Sequence, residues 1–257
     1  MLINKFLAMN IIFRTLHHLI DFFYSPTCLI CGDKINLNYK IKLDKSKTET
    51  NPYIVSTEFC CSKCKSQITF AGNKYEIIAD IIPNYTQYDF AIANAISLFK
   101  NANDLPIINL IYGLKYKGFS RIGLEYGKWL GEVLVAENMT EYDYIVPVPI
   151  HPARKRERSF NQSDFIADGI NEILNIEIAY DLLKRTKYTH SQTQLSHKER
   201  LENIKDIFTL NKKYDVVKKK ILLVDDVLTT GSTVNNCALA LLENNAIQVD
   251  VATLLKS

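Results

Sequence analysis

Hydrophobic and polar positions divide the chain into three stretches of different periodicity. In residues 1–24, apolar residues recur at helical spacing, which predicts an amphipathic helix packed on the body of the protein. Residues 25–70 have few apolar positions between their cysteines, so this stretch cannot fold around a hydrophobic core of its own. From about residue 88 onward, short apolar runs alternate with segments of helical periodicity.

The third stretch predicts four strands and four helices. The apolar runs that predict buried strands are 89–96, 144–149, 220–224 and 249–254. The segments with helical periodicity are 105–116, 124–137, 162–174 and 232–244. Strands and helices that alternate along the chain indicate an α/β fold with a mainly parallel sheet.

Composition narrows the classes of protein. A chain of 257 residues that is 47% hydrophobic can bury a substantial core, and its formal charge of +3 makes no case for a nucleic-acid partner. Asn10 and Arg14 interrupt the apolar N-terminal stretch and no small-residue cleavage site follows, which disfavours a signal peptide. A membrane-surface helix is disfavoured because the polar face has no Lys/Arg stripe. We therefore expect a cytoplasmic protein without a membrane span.

Two C-x-x-C pairs, Cys28–Cys31 and Cys61–Cys64, predict a metal site in the second stretch. Each pair can place two thiolates on one tetrahedral ion, and four thiolates suit structural Zn²⁺ better than Ca²⁺ or Mg²⁺. Disulfides are the alternative, which a cytosolic location disfavours. Cys60 competes with Cys61 as a ligand, and we prefer Cys61 because its spacing to Cys64 matches the first pair. The isolated Cys237 is expected to be a core residue.

The segment 221–234, ILLVDDVLTTGSTV, predicts a site for a 5-phosphorylated ribose. Asp225 and Asp226 follow an apolar strand, where ligands of parallel sheets bind, and their carboxylates can accept hydrogen bonds from ribose hydroxyls. The next residues can cradle a phosphate with N–H groups and hydroxyls at a helix N-terminus: Thr229, Thr230, Gly231, Ser232 and Thr233. The alternative, a capped helix with ordinary turn acids, leaves the paired acids and the glycine unexplained.

The run ILLVDDVLTTGST resembles the phosphoribosyl-pyrophosphate motif of type I phosphoribosyltransferases. The wider pattern, from about residue 25 to the C-terminus, resembles the ComF-type competence proteins, which place a cysteine module ahead of a phosphoribosyltransferase domain. The resemblance implies a zinc-ribbon module at 25–70 and a type I phosphoribosyltransferase fold at 85–257. It also implies phosphoribosyl pyrophosphate (PRPP) as a ligand together with Mg²⁺. The long insert between the cysteine pairs, Cys60, and Ser159 in place of a common glycine depart from the family pattern.

Basic residues supply candidates for catalysis, because the departing pyrophosphate must be neutralised. Lys115 precedes Gly118 in a lysine-rich turn, and Arg154 and Arg156 follow the strand predicted at 144–149. Each group can equally be a solvated surface cluster. The polar segment 186–200 lacks apolar periodicity and is predicted to be a mobile loop over the site.

Two functions of different classes remain open on this sequence. The first is an enzyme of the glycosyltransferase class that transfers a phosphoribosyl group to an unknown acceptor. The second is a non-catalytic DNA-uptake factor that uses the ribose-phosphate site for ligand sensing. The resemblance links both to natural competence and implies single-stranded DNA and a competence helicase as candidate partners of the second.

Overall fold

The structure is a computed structural model that describes most of the C-terminal part of the chain and short pieces of the N-terminal part. The described residues are 27, 28, 31–35, 61–65, 71–86, 88–100, 107, 111, 113, 114, 120–150, 160–186 and 207–257. The helix predicted at 1–24 and most of the insert between the cysteine pairs lie outside them. None of the helices in this described part is long and apolar enough to cross a membrane.

Contacts divide the chain into two compact units, Met1–Gln67 and Ile68–Ser257. In the first unit, Thr27 and Lys34 form an antiparallel bridge across a tight turn, and helix α1 covers Ser62–Lys65. The turn is closed by hydrogen bonds from the Cys28 N–H to the Asp33 carbonyl (2.7 Å) and from the Gly32 N–H to the Cys28 carbonyl (2.9 Å). Gly32 adopts a φ of +78°, which a residue without a Cβ tolerates.

The second unit contains alternating helices and strands. Its helices are α2 (Lys74–Ile81, continued by a 3₁₀ turn at Ile82–Asn84), α3 (Ser120–Ala136), α4 (Gln162–Leu174) and α5 (Ser232–Glu243). Its strands are β1 (Ala95–Lys100), β2 (Tyr144–Pro147), β3 (Leu183–Arg185), β4 (Phe208–Leu210), β5 (Lys220–Leu228) and β6 (Gln248–Lys256). Within the predicted helix at 105–116, Ile107, Ile111 and Leu114 are helical and buried.

Four of the strands form a fully parallel sheet in the order β1-β6-β5-β2, while β3 and β4 form a separate antiparallel pair. The parallel α/β fold predicted from the alternating pattern is therefore confirmed. The central strands β5 and β6 are continuously buried from Ile221 to Val224 and from Val249 to Leu255, as expected for strands that are covered on both faces. This arrangement brings the carboxyl ends of β2, β5 and β6 to one edge.

Apolar side chains fill both sides of the sheet. On one side, Ile77 and Ile81 of α2 belong to the same buried cluster as Leu223 of β5 and Val251 of β6. Elsewhere in the unit, the rings of Tyr126 and Trp129 on α3 pack edge-on against Phe99 of β1, with ring centroids 5.5 Å and 6.0 Å away. Strands and helices that are buried this deeply form a rigid base for the loops at the carboxyl edge.

All four predicted strands have different limits in the structure, and two of them differ by four residues or more at one end. The strand predicted at 89–96 runs instead from Ala95 to Lys100, because the Asp89 carbonyl and the Ala91 N–H bind the side chain of Asn235 rather than a neighbouring strand. The strand predicted to end at Val224 continues through both acids to Leu228, because β6 pairs with it over that whole length. Helix α2 lies in a stretch, 71–84, to which sequence analysis assigned no element.

Candidate functional site

Paired acids lie where strand β5 loses one of its two neighbours. Strand β2 pairs with β5 only as far as Pro147, opposite Val224, and the Val148 N–H then donates to the Val224 carbonyl at 2.8 Å. Beyond this point β6 is the only described strand that pairs with β5, with Asp225 opposite Thr253 and Leu228 opposite Lys256. The half-buried side chains of Asp225 and Asp226 therefore lie at the carboxyl edge, beside the space that β2 has left.

The first turn of α4 contacts one of the two acids directly. The Ser163 hydroxyl donates to Oδ1 of Asp225 at 3.2 Å, and the same oxygen accepts the N–H of Asp226 at 2.9 Å. The Asn161 amide donates to the Val148 carbonyl at 3.1 Å, which ties the start of α4 to the end of β2. These bonds set the orientation of the Asp225 carboxylate before any ligand arrives.

Two more polar atoms are buried at the same helix start. Oδ1 of Asn161 and Nε2 of Gln162 have no hydrogen-bond partner among the described residues, although both side chains are nearly inaccessible to solvent. Unpaired buried polar atoms are uncommon in folded proteins and destabilising. Asn161 and Gln162 come shortly after residues 151–159, which lie outside the described residues and include Arg154 and Arg156.

Directly after β5, the chain makes the phosphate loop, which we define as residues Thr229–Thr233. Gly231 is the N-cap of α5 with a φ of +82° and offers no capping side chain, while the Thr230 hydroxyl accepts the Ser232 N–H at 3.4 Å. The first bond inside the helix runs from the Asn235 N–H to the Gly231 carbonyl (2.8 Å), so the preceding N–H groups lie ahead of the helical ladder. No acidic residue stands in the first turn of α5, which therefore favours an anion.

The segment that precedes β1 also contacts the phosphate loop. The Tyr85 hydroxyl donates to the Thr230 carbonyl at 2.9 Å. A Cβ added to Gly231 would lie 3.3 Å from that hydroxyl oxygen and 3.6 Å from Cδ1 of Ile81. Buried Asn235 donates from Nδ2 to the Asp89 carbonyl (2.7 Å) and accepts the Ala91 N–H (2.8 Å), so it fastens the same segment to α5.

The predicted site residues divide into two groups. The structure describes all seven residues predicted for PRPP, and they form one continuous segment at the carboxyl edge: Asp225, Asp226, Thr229, Thr230, Gly231, Ser232 and Thr233. Lys115, Arg154 and Arg156, predicted for catalysis, lie outside the described residues, as does the predicted mobile loop except for Thr186. Their roles stay predictions.

Three residues of the site were missed by sequence analysis: Ser163, Tyr85 and Asn235. Ser163 directly follows the Phe160-Asn161-Gln162 run that the family resemblance includes, so a signal for it was present. Tyr85 and Asn235 gave no signal, because each acts on a segment that is distant in sequence.

The four cysteines of the first unit also come together. The Sγ atoms of Cys28, Cys31, Cys61 and Cys64 all lie within 4.8 Å of one another, and those of Cys31 and Cys61 are 3.8 Å apart. Tetrahedral Zn²⁺ with Zn–S bonds of about 2.3 Å places its sulfurs about 3.8 Å apart. The donor set therefore fits a metal ion, and none of these four cysteines is in a disulfide. Cys60 lies outside the described residues.

The remaining described cysteine has a different environment. Cys237 of α5 is completely buried, and burial raises the pKa of its thiol well above the usual value. The negative charge of Asp225 raises this pKa further, while Arg185 opposes the effect. A thiol that stays protonated in the core is not a nucleophile, which agrees with the prediction of a core residue.

Comparison with known proteins identifies the family. A family described as "Phosphoribosyl transferase domain" matches residues 163–257, which include α4, β5, the phosphate loop, α5 and β6. The DNA utilization protein YhgH of Escherichia coli (strain K12) is 36% identical over 156 residues, which are 59% of this chain and 68% of that protein. The chain belongs to the ComF-type phosphoribosyltransferase family.

Two further relatives of this ComF-type chain have names linked to competence. "Competence protein F" of Haemophilus influenzae is 39% identical over 92 residues, which are 35% of this chain and 40% of that protein. "Competence protein ComFC" of Streptococcus pneumoniae is 31% identical over 142 residues, which are 55% of this chain and 60% of that protein. The chain thus spans well under two thirds of the Haemophilus relative.

Among solved structures, the glutamine PRPP amidotransferase from B. subtilis, in complex with ADP and GMP, aligns with a TM-score of 0.39. The identity is 21%, and the alignment covers 56% of this chain and 30% of that chain. The type I phosphoribosyltransferase fold of the ComF-type chain follows from its family and its parallel sheet.

Proposed function

We propose that this ComF-type chain binds PRPP together with Mg²⁺ and transfers the phosphoribosyl group to a nitrogen nucleophile. The observation that carries the proposal is the sequence of groups along the carboxyl edge of β5. Two half-buried carboxylates are followed within a few residues by a helix N-terminus that opens on a left-handed glycine. The carboxylates suit ribose hydroxyls, and the helix N-terminus suits the 5-phosphate a sugar's length away.

In this reaction the bond from the anomeric carbon to the pyrophosphate oxygen breaks, and a bond from that carbon to the acceptor nitrogen forms. Pyrophosphate leaves with the bonding electrons, and the acceptor nitrogen loses a proton. Mg²⁺ held with the pyrophosphate supplies charge neutralisation as the leaving group departs. The chain's own share is positioning. Asp225 and Asp226 hold the ribose, the phosphate loop holds the 5-phosphate, and Lys115, Arg154 and Arg156 are the candidates to contact the pyrophosphate.

Calorimetric titration of the full chain with PRPP and Mg²⁺ tests the binding half of this proposal. We expect saturable binding that weakens about 10- to 100-fold in Asp226→Asn, since hydrogen bonds to a charged group are lost. Asp215→Asn is the matched control, because Asp215 is an exposed carboxylate before the amino end of β5. Absence of binding in the unaltered chain, or equal loss in the control, would contradict the proposal.

A pyrophosphate-release assay across bases, amines and ammonia tests the transfer half. We expect release that requires both Mg²⁺ and an acceptor and that falls in Arg154→Ala and Arg156→Ala. A chain that binds PRPP tightly but releases no pyrophosphate with any nitrogen acceptor would reduce the function to ligand sensing.

For the cysteine cluster, which consists of Cys28, Cys31, Cys61 and Cys64, we propose Zn²⁺ in a structural role. Four thiolates close the coordination shell and leave no position for a substrate, which is the arrangement of structural rather than catalytic zinc sites. Burial raises the pKa of the Cys64 thiol in the absence of a cation, and a bound dication reverses that preference by stabilising thiolates. Metal analysis of the purified chain should return about one zinc per chain, and its absence would overturn this assignment.

A role in DNA uptake or utilisation is the second candidate, and the names of the relatives favour it. In this role the chain contacts single-stranded DNA through its basic residues and acts with a competence helicase as partner. Binding to single-stranded DNA should weaken steeply as salt rises and should weaken further in Arg154→Ala. Lys212→Ala, an exposed lysine outside the site, is the control. Absent or salt-insensitive binding would exclude direct DNA contact.

A further inference from the structure

One carbonyl of the phosphate loop is bound by a side chain from outside the loop. In a helix capped by Thr230, the Thr230 carbonyl would accept the N–H of Val234. Here the Tyr85 hydroxyl donates to that carbonyl at 2.9 Å, and the helical ladder starts one residue later, at the Gly231 carbonyl. The orientation of the Thr230–Gly231 peptide is therefore set by Tyr85 and not by the helix.

A peptide unit is planar, and in the trans form its C=O and N–H point in opposite directions. A Thr230 carbonyl that is directed at Tyr85 sends the Gly231 N–H away from Tyr85. We propose that Tyr85 is a positioning residue that holds the Gly231 N–H toward the 5-phosphate of the ligand. This inference rests on the proposed binding of a 5-phosphorylated ribose.

The surroundings of Tyr85 keep its hydroxyl in place. Its ring lies 5.4 Å from the ring of Phe90, measured between centroids. Asn235 clamps the backbone on both sides of Phe90, through the Asp89 carbonyl and the Ala91 N–H, at 2.7 Å and 2.8 Å. Since Asn235 belongs to α5, the tyrosine segment and the phosphate loop are fastened to the same helix.

Two properties of the contact suit a permanent tether. Gly231 at a φ of +82° allows the peptide to turn its carbonyl toward the tyrosine, which residues with a Cβ rarely permit. Burial raises the pKa of Tyr85 to about 12, so its hydroxyl stays protonated and able to donate throughout the neutral range. The hydrogen bond from Tyr85 to the loop should therefore not change with pH in the neutral range.

The test compares Tyr85→Phe with Tyr88→Phe, in the full chain. Both variants remove one hydroxyl from the same segment, but Tyr88 is 84% exposed. The probes are PRPP with Mg²⁺, ribose 5-phosphate, and pyrophosphate with Mg²⁺. We expect Tyr85→Phe to weaken PRPP and ribose 5-phosphate by the same factor, about 5- to 10-fold for one hydrogen bond, and to leave pyrophosphate binding unchanged. Tyr88→Phe should bind all three probes as the unaltered chain does.

The three probes separate positioning from a general loss of structure. A merely structural tyrosine would weaken pyrophosphate binding along with the others or would leave all three affinities unchanged, and either result would overturn the inference. If the unaltered chain binds neither PRPP nor ribose 5-phosphate, the proposed function itself fails. If the unaltered chain binds PRPP and ribose 5-phosphate but Tyr85→Phe does not change their affinities, only the positioning role is overturned.

The Gly231 amide gives a second, independent measurement. In amide NMR spectra of the ribose 5-phosphate complex, the Gly231 N–H should show the downfield shift of a hydrogen bond to an anion. Tyr85→Phe should reduce this shift while the amide of Gly127, in the middle of α3, stays unchanged. An identical Gly231 shift in the variant complex would show that the peptide keeps its orientation without the tyrosine.

Discussion

The turn that carries Cys28 and Cys31 and the phosphate loop each contain one glycine in the left-handed conformation. Different interactions fix the two backbones. At Gly32 no atom of the described residues lies within 4 Å of the place a Cβ would occupy, and the turn depends on its backbone bonds and on the thiols around it. At Gly231 the same place is bordered by Tyr85 and Ile81, and the loop continues a strand buried in the sheet. We expect the first site to depend on the proposed ion, whereas the second depends on packing.

This difference shows how two short motifs reach a defined geometry by separate routes. Few apolar residues lie between the two cysteine pairs, so we expect metal coordination to supply the energy that orders them. The phosphate loop needs no such help, because β5, β6 and α5 bring it into position through a shared apolar core. Variants that affect one region should therefore leave the other intact.

The largest effect is expected from removing one thiol of the cluster. Cys61→Ser should abolish stoichiometric zinc, because structural zinc sites derive about 10–16 kcal/mol of apparent binding energy from the complete ligand set. Elemental analysis after gel filtration measures the zinc content, and calorimetry measures PRPP affinity, which should not change. Cys60→Ser is the matched control and should retain zinc. The opposite result, with zinc lost in Cys60→Ser and kept in Cys61→Ser, would assign the ligand to Cys60.

The next largest effect is expected at the two glycines. Gly231→Ala should weaken PRPP at least about tenfold, because a left-handed alanine costs about 1–2 kcal/mol and its Cβ would also press on Tyr85. Gly32→Ala has the same backbone cost, but its Cβ would meet no atom of the described residues. We therefore expect it to lower zinc affinity by about tenfold and to leave PRPP affinity unchanged. Calorimetry with each ligand measures both. Equal effects of the two variants on PRPP would mean that the sites are not independent.

A smaller effect is expected for Ser163→Ala. The Asp225 carboxylate loses one donor at 3.2 Å but keeps the Asp226 N–H, so PRPP affinity should fall about three- to tenfold, as for one hydrogen bond of roughly 1 kcal/mol. Ser97→Ala removes another buried hydroxyl from the same unit, one that hydrogen-bonds Thr253 at 2.6 Å. It should lower the thermal midpoint without changing PRPP affinity. Unchanged affinity in Ser163→Ala would exclude a role for Ser163 in orienting Asp225.

The last prediction is that an alkylating reagent has no effect on Cys237 in the native chain. Burial raises the pKa of this thiol, so the native chain should not be modified there at neutral pH. After chelation, exposed Cys31 should react while Cys237 remains protected until the second unit unfolds. Peptide mass spectrometry resolves the two positions. Rapid labelling of Cys237 in the native chain would contradict the tight packing of α5.

Sequence patterns predicted the elements that carry strong periodicity. The predicted helix at 162–174 has the observed limits, and the helix predicted at 232–244 ends one residue late. Strand limits were less accurate, because hydrogen bonds from distant residues decide them. Asp89 and Ala91 look like strand residues but bind Asn235, and Asp225 looks like a strand end but pairs onward with β6.

The sequence by itself determined the chemistry of this protein: which thiols can share an ion, which acids lie near the carboxyl end of the strand, and which residues can cradle a phosphate. These depend on neighbours a few positions apart, which local rules describe. Only the tertiary structure decided which partners orient those groups. Ser163 reaches Asp225 across 62 residues and Tyr85 reaches Thr230 across 145, and contacts at such separations exist only once the sheet has brought the segments together.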